Sequence, residues 1–380
     1  MNVTMFLFHT FRNDHRVLKE ARSLIGAGHR VTLIAIREET KSPEWSTEEG
    51  IRVRRIRLHR WPSPKGRYAE YFLRAAWAAR ATHADVYHAH DLDTLFPAVL
   101  ASRFGRKPVV YDSHELFTET HFLIGREREK RIWSALERRL IRHARRVVTV
   151  SEPIAEELSK RYGILRPVVI RNCPVYHPPP APRPLFTEKP GEPLFLCQGY
   201  LQEGRGLETL VRAMAFVPRG RLLLLGDGDR MREELERLVR ETGVSERVLF
   251  QPAVPIEDLP SRTASATIGL IAYTAASLNF LYALPNKFFE YIMAGVPVLS
   301  TDLPELRRLI EQHGVGEIVE PSTPEAFAGA MNRLAADPDH LGRLRKRCLD
   351  AARTLHWGEE EKKLIHLYGE FEEQGSRRAG

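Results

Sequence analysis

The chain has 380 residues, 43% of them hydrophobic and 28% charged, and 57 Lys+Arg against 49 Asp+Glu give a formal charge of +8. That balance excludes collagen-like, coiled-coil and wholly disordered chains; at about 100–200 residues per domain the length is that of two domains, each with its own core. Cys173, Cys197 and Cys348 are odd in number, widely spaced and without a Cys-x-x-Cys pair, which argues for a reducing compartment and against structural zinc.

Residues 2–9 are a short apolar run with no basic residues ahead of it and no small-residue cleavage site behind it, so they are expected to form a buried strand and not a signal peptide. A helix around 17–27 and a strand at 30–36 complete a βαβ unit. Strands are then expected at 51–58, 86–90, 109–112, 147–150 and 168–171, with helices near 68–81 and 133–143, which describes a doubly wound first domain. Eight of the twenty residues 174–193 are proline, a composition that fits a stiff linker. The rhythm restarts with strands at 194–198, 221–225, 248–251, 267–272, 296–300 and 316–320. Helices are expected at 207–216, 231–242, 256–264, 287–293 and 305–313, followed by a helical tail. The expected domains are therefore 1–173, a linker at 174–193, 194–355, and a C-terminal helix at 356–380. No run of about 18 apolar residues occurs, so membrane contact would be peripheral.

Charge is unevenly placed. Residues 1–175 hold 32 basic and 20 acidic side chains, a net of +12, which leaves 25 minus 29, or −4, for the remainder. Residues 126–146 carry nine basic side chains interleaved with Ile132, Trp133, Leu136, Leu140 and Ile141 at helical spacing, a basic amphipathic pattern that suits a solvated face, an anionic membrane or a phosphate-bearing substrate better than nucleic acid.

Pro285 and Asn286 are expected to cap a helix, with Lys287 in its first turn, Glu290 one turn deeper and Gly295 ending it. A helix start carrying a lysine attracts phosphate, and Glu290 would accept hydrogen bonds from paired hydroxyls such as those of a ribose. Gly204-Arg205-Gly206 follows the first strand of the second domain and would place the planar Arg205 fork against a diphosphate. Gly226, in a Gly-Asp-Gly turn, and Val254 would border a nucleotide base. In the first domain Asp91, His114 and Glu115 end strands in ionisable groups, where general acids and bases sit in open α/β sheets. His88 and His90 share a strand face, but no third residue at metal-ligand spacing accompanies them.

These pieces in order resemble the group 4 retaining glycosyltransferases of GT-B fold. The matching segments run from Asp14-His15-Arg16 through His88-Ala89-His90-Asp91, Tyr111-Asp112-Ser113-His114-Glu115 and Val148-Thr149-Val150-Ser151-Glu152 to Leu224-Leu225-Gly226-Asp227-Gly228 and Phe289-Glu290 to Val298. The resemblance implies an α/β fold of two Rossmann-like doubly wound lobes facing across a cleft. It implies a donor-binding set of Glu290, Asn286, Gly226, Val254 and Tyr282, a catalytic set of His114, Arg205 and Lys287, and acceptor-side Asp91 and Glu115. The last helix is expected to cross back to the first lobe. Two positions depart from the family pattern: Tyr282 stands where a second donor-contacting glutamate is common, and Tyr200 where an arginine is common, so Lys287 is read as supplying the missing charge. The expected substrates are a nucleotide-diphosphate sugar and a hydroxyl acceptor, glycan or lipid-linked. No cofactor and no metal are expected, and the place is the cytoplasm, in peripheral contact with an anionic membrane during cell-envelope polysaccharide synthesis. A nucleotide-sugar epimerase or hydrolase of the same fold, and a non-catalytic nucleotide-sugar-binding protein, are the alternatives.

Overall fold

The computed structural model describes residues 1–11, 14–37, 42–59, 61, 63–184 and 191–379. They form two compact units, one of Met1–Asn172 with Glu359–Gly380 and one of Cys173–Gly358. Residues 185–190 of the proline-rich segment lie outside the described residues.

The first unit is built on eight strands: β1 (Asn2–Phe6), β2 (Arg30–Arg37), β3 (Trp45–Glu48), β4 (Ile51–Arg57), β5 (Val86–His90), β6 (Val109–Ser113), β7 (Arg146–Thr149) and β8 (Val168–Val169). They are ordered β3-β4-β2-β1-β5-β6-β7-β8, all parallel except the edge strand β3. β5 and β6 are buried throughout, as strands covered on both faces must be. Two helices of the first unit, Leu92–Gly105 and Glu152–Tyr162, are not among those expected, and a third is displaced. Leu92–Gly105 buries residues on several sides and carries Pro97, so it has no polar stripe to reveal it. The helix expected at 133–143 spans Glu127–Leu140 instead and ends in a 3-10 turn, Ile141–His143.

The second unit contains β9 (Leu194–Gln198), β10 (Arg221–Leu225), β11 (Val248–Gln251), β12 (Ile268–Ile271), β13 (Val298–Thr301) and β14 (Gly316–Val319). Their order is β11-β10-β9-β12-β13-β14, all parallel. Apolar clusters cover both faces, one around Leu210, Leu224 and Met331, the other around Leu196, Phe288 and Leu306.

The chain then returns to the first unit. The helix Trp357–Ala379 buries Leu364, Leu367 and Tyr368, and Glu361 accepts a hydrogen bond from Ser23 at 2.6 Å. Glu360 accepts from the Arg171 backbone N–H at 3.0 Å, and Glu370 pairs with Arg146 at 2.6 Å. None of the described helices is long and apolar enough to cross a membrane.

Candidate active site

In each sheet the strand order reverses beside the first strand, β1 between β2 and β5 and β9 between β10 and β12, and the carboxyl ends of strands at such a switch point are where open α/β sheets bind ligands. In the second unit β9 ends in Gln198, followed by Gly199 at φ +107°. A Cβ on Gly199 would lie 3.3 Å from Nη1 of Arg205 and 3.9 Å from Nζ of Lys287, so both expected cations flank this bare stretch of backbone. Both also sit over the ring of Tyr273, at 5.6 Å and 5.5 Å from its centroid. Arg205 is held from behind by donating to the Tyr200 carbonyl at 2.8 Å. Lys287 is only 5% exposed and its ammonium lies 3.6 Å from Cys197 Sγ.

Lys287 and Glu290 lie on the helix Asn286–Met293, which Pro285 caps and whose Phe288, Phe289 and Ile292 enter the core. The Glu290 carboxylate accepts from Gln198 Nε2 at 2.5 Å, and the Gln198 Oε1 accepts from the Thr263 hydroxyl at 2.9 Å. A buried amide thus fixes the orientation of the expected ribose-binding carboxylate. Gly226, at φ +155°, follows β10; a Cβ there would meet the Gly199 carbonyl oxygen at 2.1 Å, so only glycine lets the two loops touch. Asp227 next to it accepts from the Ala253 N–H at 3.0 Å, which braces the segment carrying the half-buried Val254. Tyr282 closes the short turn Leu278–Leu281.

The first unit gathers its ionisable residues at the ends of β5 and β6. Arg16, 4% exposed, donates to both oxygens of Asp112 at 2.9 and 2.8 Å and to the Ile170 carbonyl at 3.0 Å, and pairs with Glu20 at 3.0 Å. His114 Nε2 lies 3.0 Å from Asp112, its Nδ1 3.3 Å from Asp91, and its backbone N–H donates to Asp91 at 2.9 Å. Asp91 adopts φ +62°, a strained conformation for a non-glycine residue. Glu115 follows at once, its carbonyl accepting from the Ser113 hydroxyl at 2.8 Å.

Burial by itself would lower the pKa of His114, but the Asp91 and Asp112 carboxylates raise it to about 10, so the ring is an imidazolium at neutral pH. Burial opposes ionisation of Asp112, yet Arg16 and His114 hold it well below the usual carboxylate range. Burial, with Asp112 adding to it, pushes Glu20 up to about 8, and burial keeps His88 and His90 neutral. A histidine whose pKa rises on folding from 6.5 to about 10 stabilises the fold fully below pH 6.5 and loses that contribution as the pH climbs to about 10. Urea denaturation across this range is therefore expected to show stability falling with pH in the parent and much less in His114→Gln. Equal slopes in both proteins would remove the assignment.

The sequence pattern of Glycosyltransferase Family 4 matches residues 15–175, and that of the Glycosyl transferases group 1 matches residues 192–337. The chain belongs to the group 4 glycosyltransferases of GT-B fold. It is 29% identical over 250 residues to a D-inositol 3-phosphate glycosyltransferase of Nocardia farcinica, covering 61% of this chain but 54% of that protein, so it spans about half the length of this relative. An uncharacterised glycosyltransferase of Methanocaldococcus jannaschii is 24% identical over 373 residues, 92% of this chain and 91% of its own. A GDP-mannose-dependent α-(1-6)-phosphatidylinositol monomannoside mannosyltransferase of Mycolicibacterium smegmatis is 27% identical over 171 residues, 43% of this chain and 44% of that one. Among solved structures, the sucrose-phosphate synthase of Thermosynechococcus elongatus aligns with a TM-score of 0.81 at 19% identity over 97% of this chain and 98% of its own. An Anabaena protein, HepE, in complex with UDP and glucose aligns at 0.74 and 17%, over 97% and 99%.

In this glycosyltransferase the expected residues divide between the units. Arg205, Lys287, Glu290, Asn286, Gly226, Val254 and Tyr282 belong to the second, and His114, Asp91 and Glu115 to the first. Sequence reasoning assigned no role to Gln198, whose side chain pairs with a residue 92 positions away. It also missed the Arg16 and Asp112 pairing, 96 positions apart. The sequence spacing shows no third metal-type partner for His88 and His90, and the fold brings two to them from elsewhere in the chain. Glu20, His88, His90 and Asp112 bring ligand atoms within 4.8 Å of one another, since the helix His15–Gly26 lays Glu20 against the strand ends. The Arg16 guanidinium already sits against both carboxylates of that set, where a second cation would be repelled. His88 spends its Nδ1 on the Tyr368 hydroxyl at 2.8 Å.

Proposed function

We propose that the enzyme transfers a sugar, with retention of configuration, from a nucleotide-diphosphate sugar to a hydroxyl acceptor. The observation that carries this reading is the pairing of two cations around the exposed Gly199 backbone with an oriented glutamate one turn along the same helix. That set suits a diphosphate next to a ribose: the fork of Arg205 and the Lys287 ammonium for the phosphates, Glu290 for the vicinal hydroxyls. The presence of UDP in the HepE structure and of GDP-mannose in the name of the mycobacterial relative supports a nucleotide-sugar donor.

In the proposed reaction the bond from the anomeric carbon to the phosphate oxygen breaks as the acceptor oxygen bonds to that carbon on the same face. The acceptor proton passes to the departing diphosphate. No protein nucleophile is required, and Arg205, Lys287 and the helix start stabilise the charge that grows on the diphosphate. The imidazolium of His114, its two ring nitrogens turned to Asp91 and Asp112, supplies positive charge at the end of β6. With two fixed cations at the phosphates, the reaction is proposed to run without a divalent metal. The acceptor is proposed to be a lipid-linked sugar met by the basic first unit at an anionic membrane surface, in keeping with the charge of that unit, +12 over residues 1–172 and −2 over residues 359–380.

The test is calorimetry against UDP, GDP, ADP, dTDP and CMP with the matched nucleotide sugars, followed by analysis of the anomeric configuration of the product. A selective diphosphate hit is expected, and no binding by any of the five defeats the proposal. Glu290→Ala is expected to weaken donor binding by on the order of 1–3 kcal/mol, roughly 5- to 150-fold in Kd. Unchanged nucleotide affinity would remove the ribose role.

A further inference from the structure

We infer that the first unit binds anionic lipid bilayers through one face of the helix Pro64–Arg80 and the adjoining end of the helix Leu92–Gly105. The first of these helices has two apolar stripes. Tyr71, Ala75 and Ala79 enter the core, while Ala69, Leu73 and Trp77, spaced four residues apart, point outward, with Leu73 65% and Trp77 67% exposed. Phe104, 57% exposed, extends this stripe on the neighbouring helix. The Arg80 guanidinium lies between the two rings, 4.8 Å from Trp77 and 4.9 Å from Phe104. A groove of about 530 Å³ runs beside them, lined by Arg54, Arg57, Leu73, Arg74, Trp77 and Phe104 among others.

Charge selects the occupant. Arg57, Arg80, Arg103 and Arg106 are exposed around the apolar stripe, and Arg74, also exposed, pairs with Glu70 one turn earlier at 2.8 Å; residues 71–84 and 94–111 contain no carboxylate. Among the described residues Glu44 is the one acid on the groove, and it lies 3.7 Å from Arg54. Apolar side chains ringed by arginine, with tryptophan among them, match the acyl and phosphate layers of an anionic bilayer. The basic segment at 126–146 fits less well. Its Leu140 and Ile141 are buried, Trp133 packs on Phe117 and Tyr68, and Glu127 and Glu129 alternate with its arginines. The inference rests on the membrane-borne acceptor proposed above for its purpose, but binding is measurable without donor or acceptor.

The experiment is co-sedimentation of the full chain with phosphatidylcholine vesicles with and without phosphatidylglycerol. The parent protein is expected to pellet only with the anionic vesicles, and less as salt rises. Leu73→Ser with Trp77→Ser, and separately Arg74→Glu with Arg80→Glu, are expected to lower the partition coefficient about tenfold or more while nucleotide binding and circular dichroism stay as in the parent. Loss in Arg138→Glu with Arg142→Glu, and none in the Leu73 and Trp77 variant, overturns the inference in favour of segment 126–146. Absence of parent binding to anionic vesicles also overturns it, as does a dimer in sedimentation velocity that the Leu73 and Trp77 changes split. Failure of the vesicle result leaves the calorimetric test of the donor site untouched, and the reverse holds too.

Discussion

Arg205→Ala combined with Lys287→Ala is expected to lower kcat by roughly 100-fold or more, with a smaller effect on nucleotide affinity. The donor diphosphate is already anionic when it binds, so some affinity is lost. More charge develops on it as the glycosidic bond breaks, and interactions that strengthen in the transition state are expressed in turnover. The site is arranged for this. Lys287 is 5% exposed and lies over the Tyr273 ring beside Arg205, so its charge acts where water screens it little. Because alanine at 287 also opens space beside Cys197, Lys287→Met with Arg205→Ala is the matched comparison: it keeps the stem and removes only the charge. Single-turnover rates with saturating donor read the effect directly. Transfer at the parent rate by either double variant would show that these side chains are not the phosphate clamp.

Arg16→Met is expected to be the most destabilising single change in the first unit, costing about 3–5 kcal/mol, because it leaves a buried carboxylate without its main counter-charge. Asp112 is fully buried and receives two hydrogen bonds from Arg16, whose third group ties the cluster to the Ile170 carbonyl. At about 2–4 °C per kcal/mol for a unit of this size, the Tm of the first unit should fall by roughly 6–20 °C. The double change Arg16→Met with Asp112→Asn should recover part of the loss, since it removes the stranded charge as well. A Tm within about 2 °C of the parent for Arg16→Met would mean that the pair contributes nothing beyond a packed hydrophobic substitute. Lys287→Met serves as a control, since it alters the other unit.

The parts of this protein that sequence determined are those governed by near neighbours. Alternating apolar strands and 3.6-period helices specify two parallel-sheet units, and Pro285, Asn286 and Gly295 bracket the helix that carries Lys287 and Glu290, because caps and periodicity act within a few residues. The Gly204-Arg205-Gly206 turn was legible for the same reason. Where both faces of an element are buried the periodicity vanishes, so the helix Leu92–Gly105 left no trace; where a helix is mostly solvated, as in Glu127–Leu140, its apolar stripe marked only the later part.

Contacts between residues far apart in the chain were decided only by tertiary structure. Gln198 orients Glu290 across 92 positions, Arg16 neutralises Asp112 across 96, and Tyr368 reaches His88 across 280. No local pattern encodes such pairs, since each depends on which strand ends the sheet order places side by side. The protonation of His114 belongs with them. Its ring becomes a cation because Asp91 and Asp112 converge on it, and a histidine read from sequence carries no such neighbours.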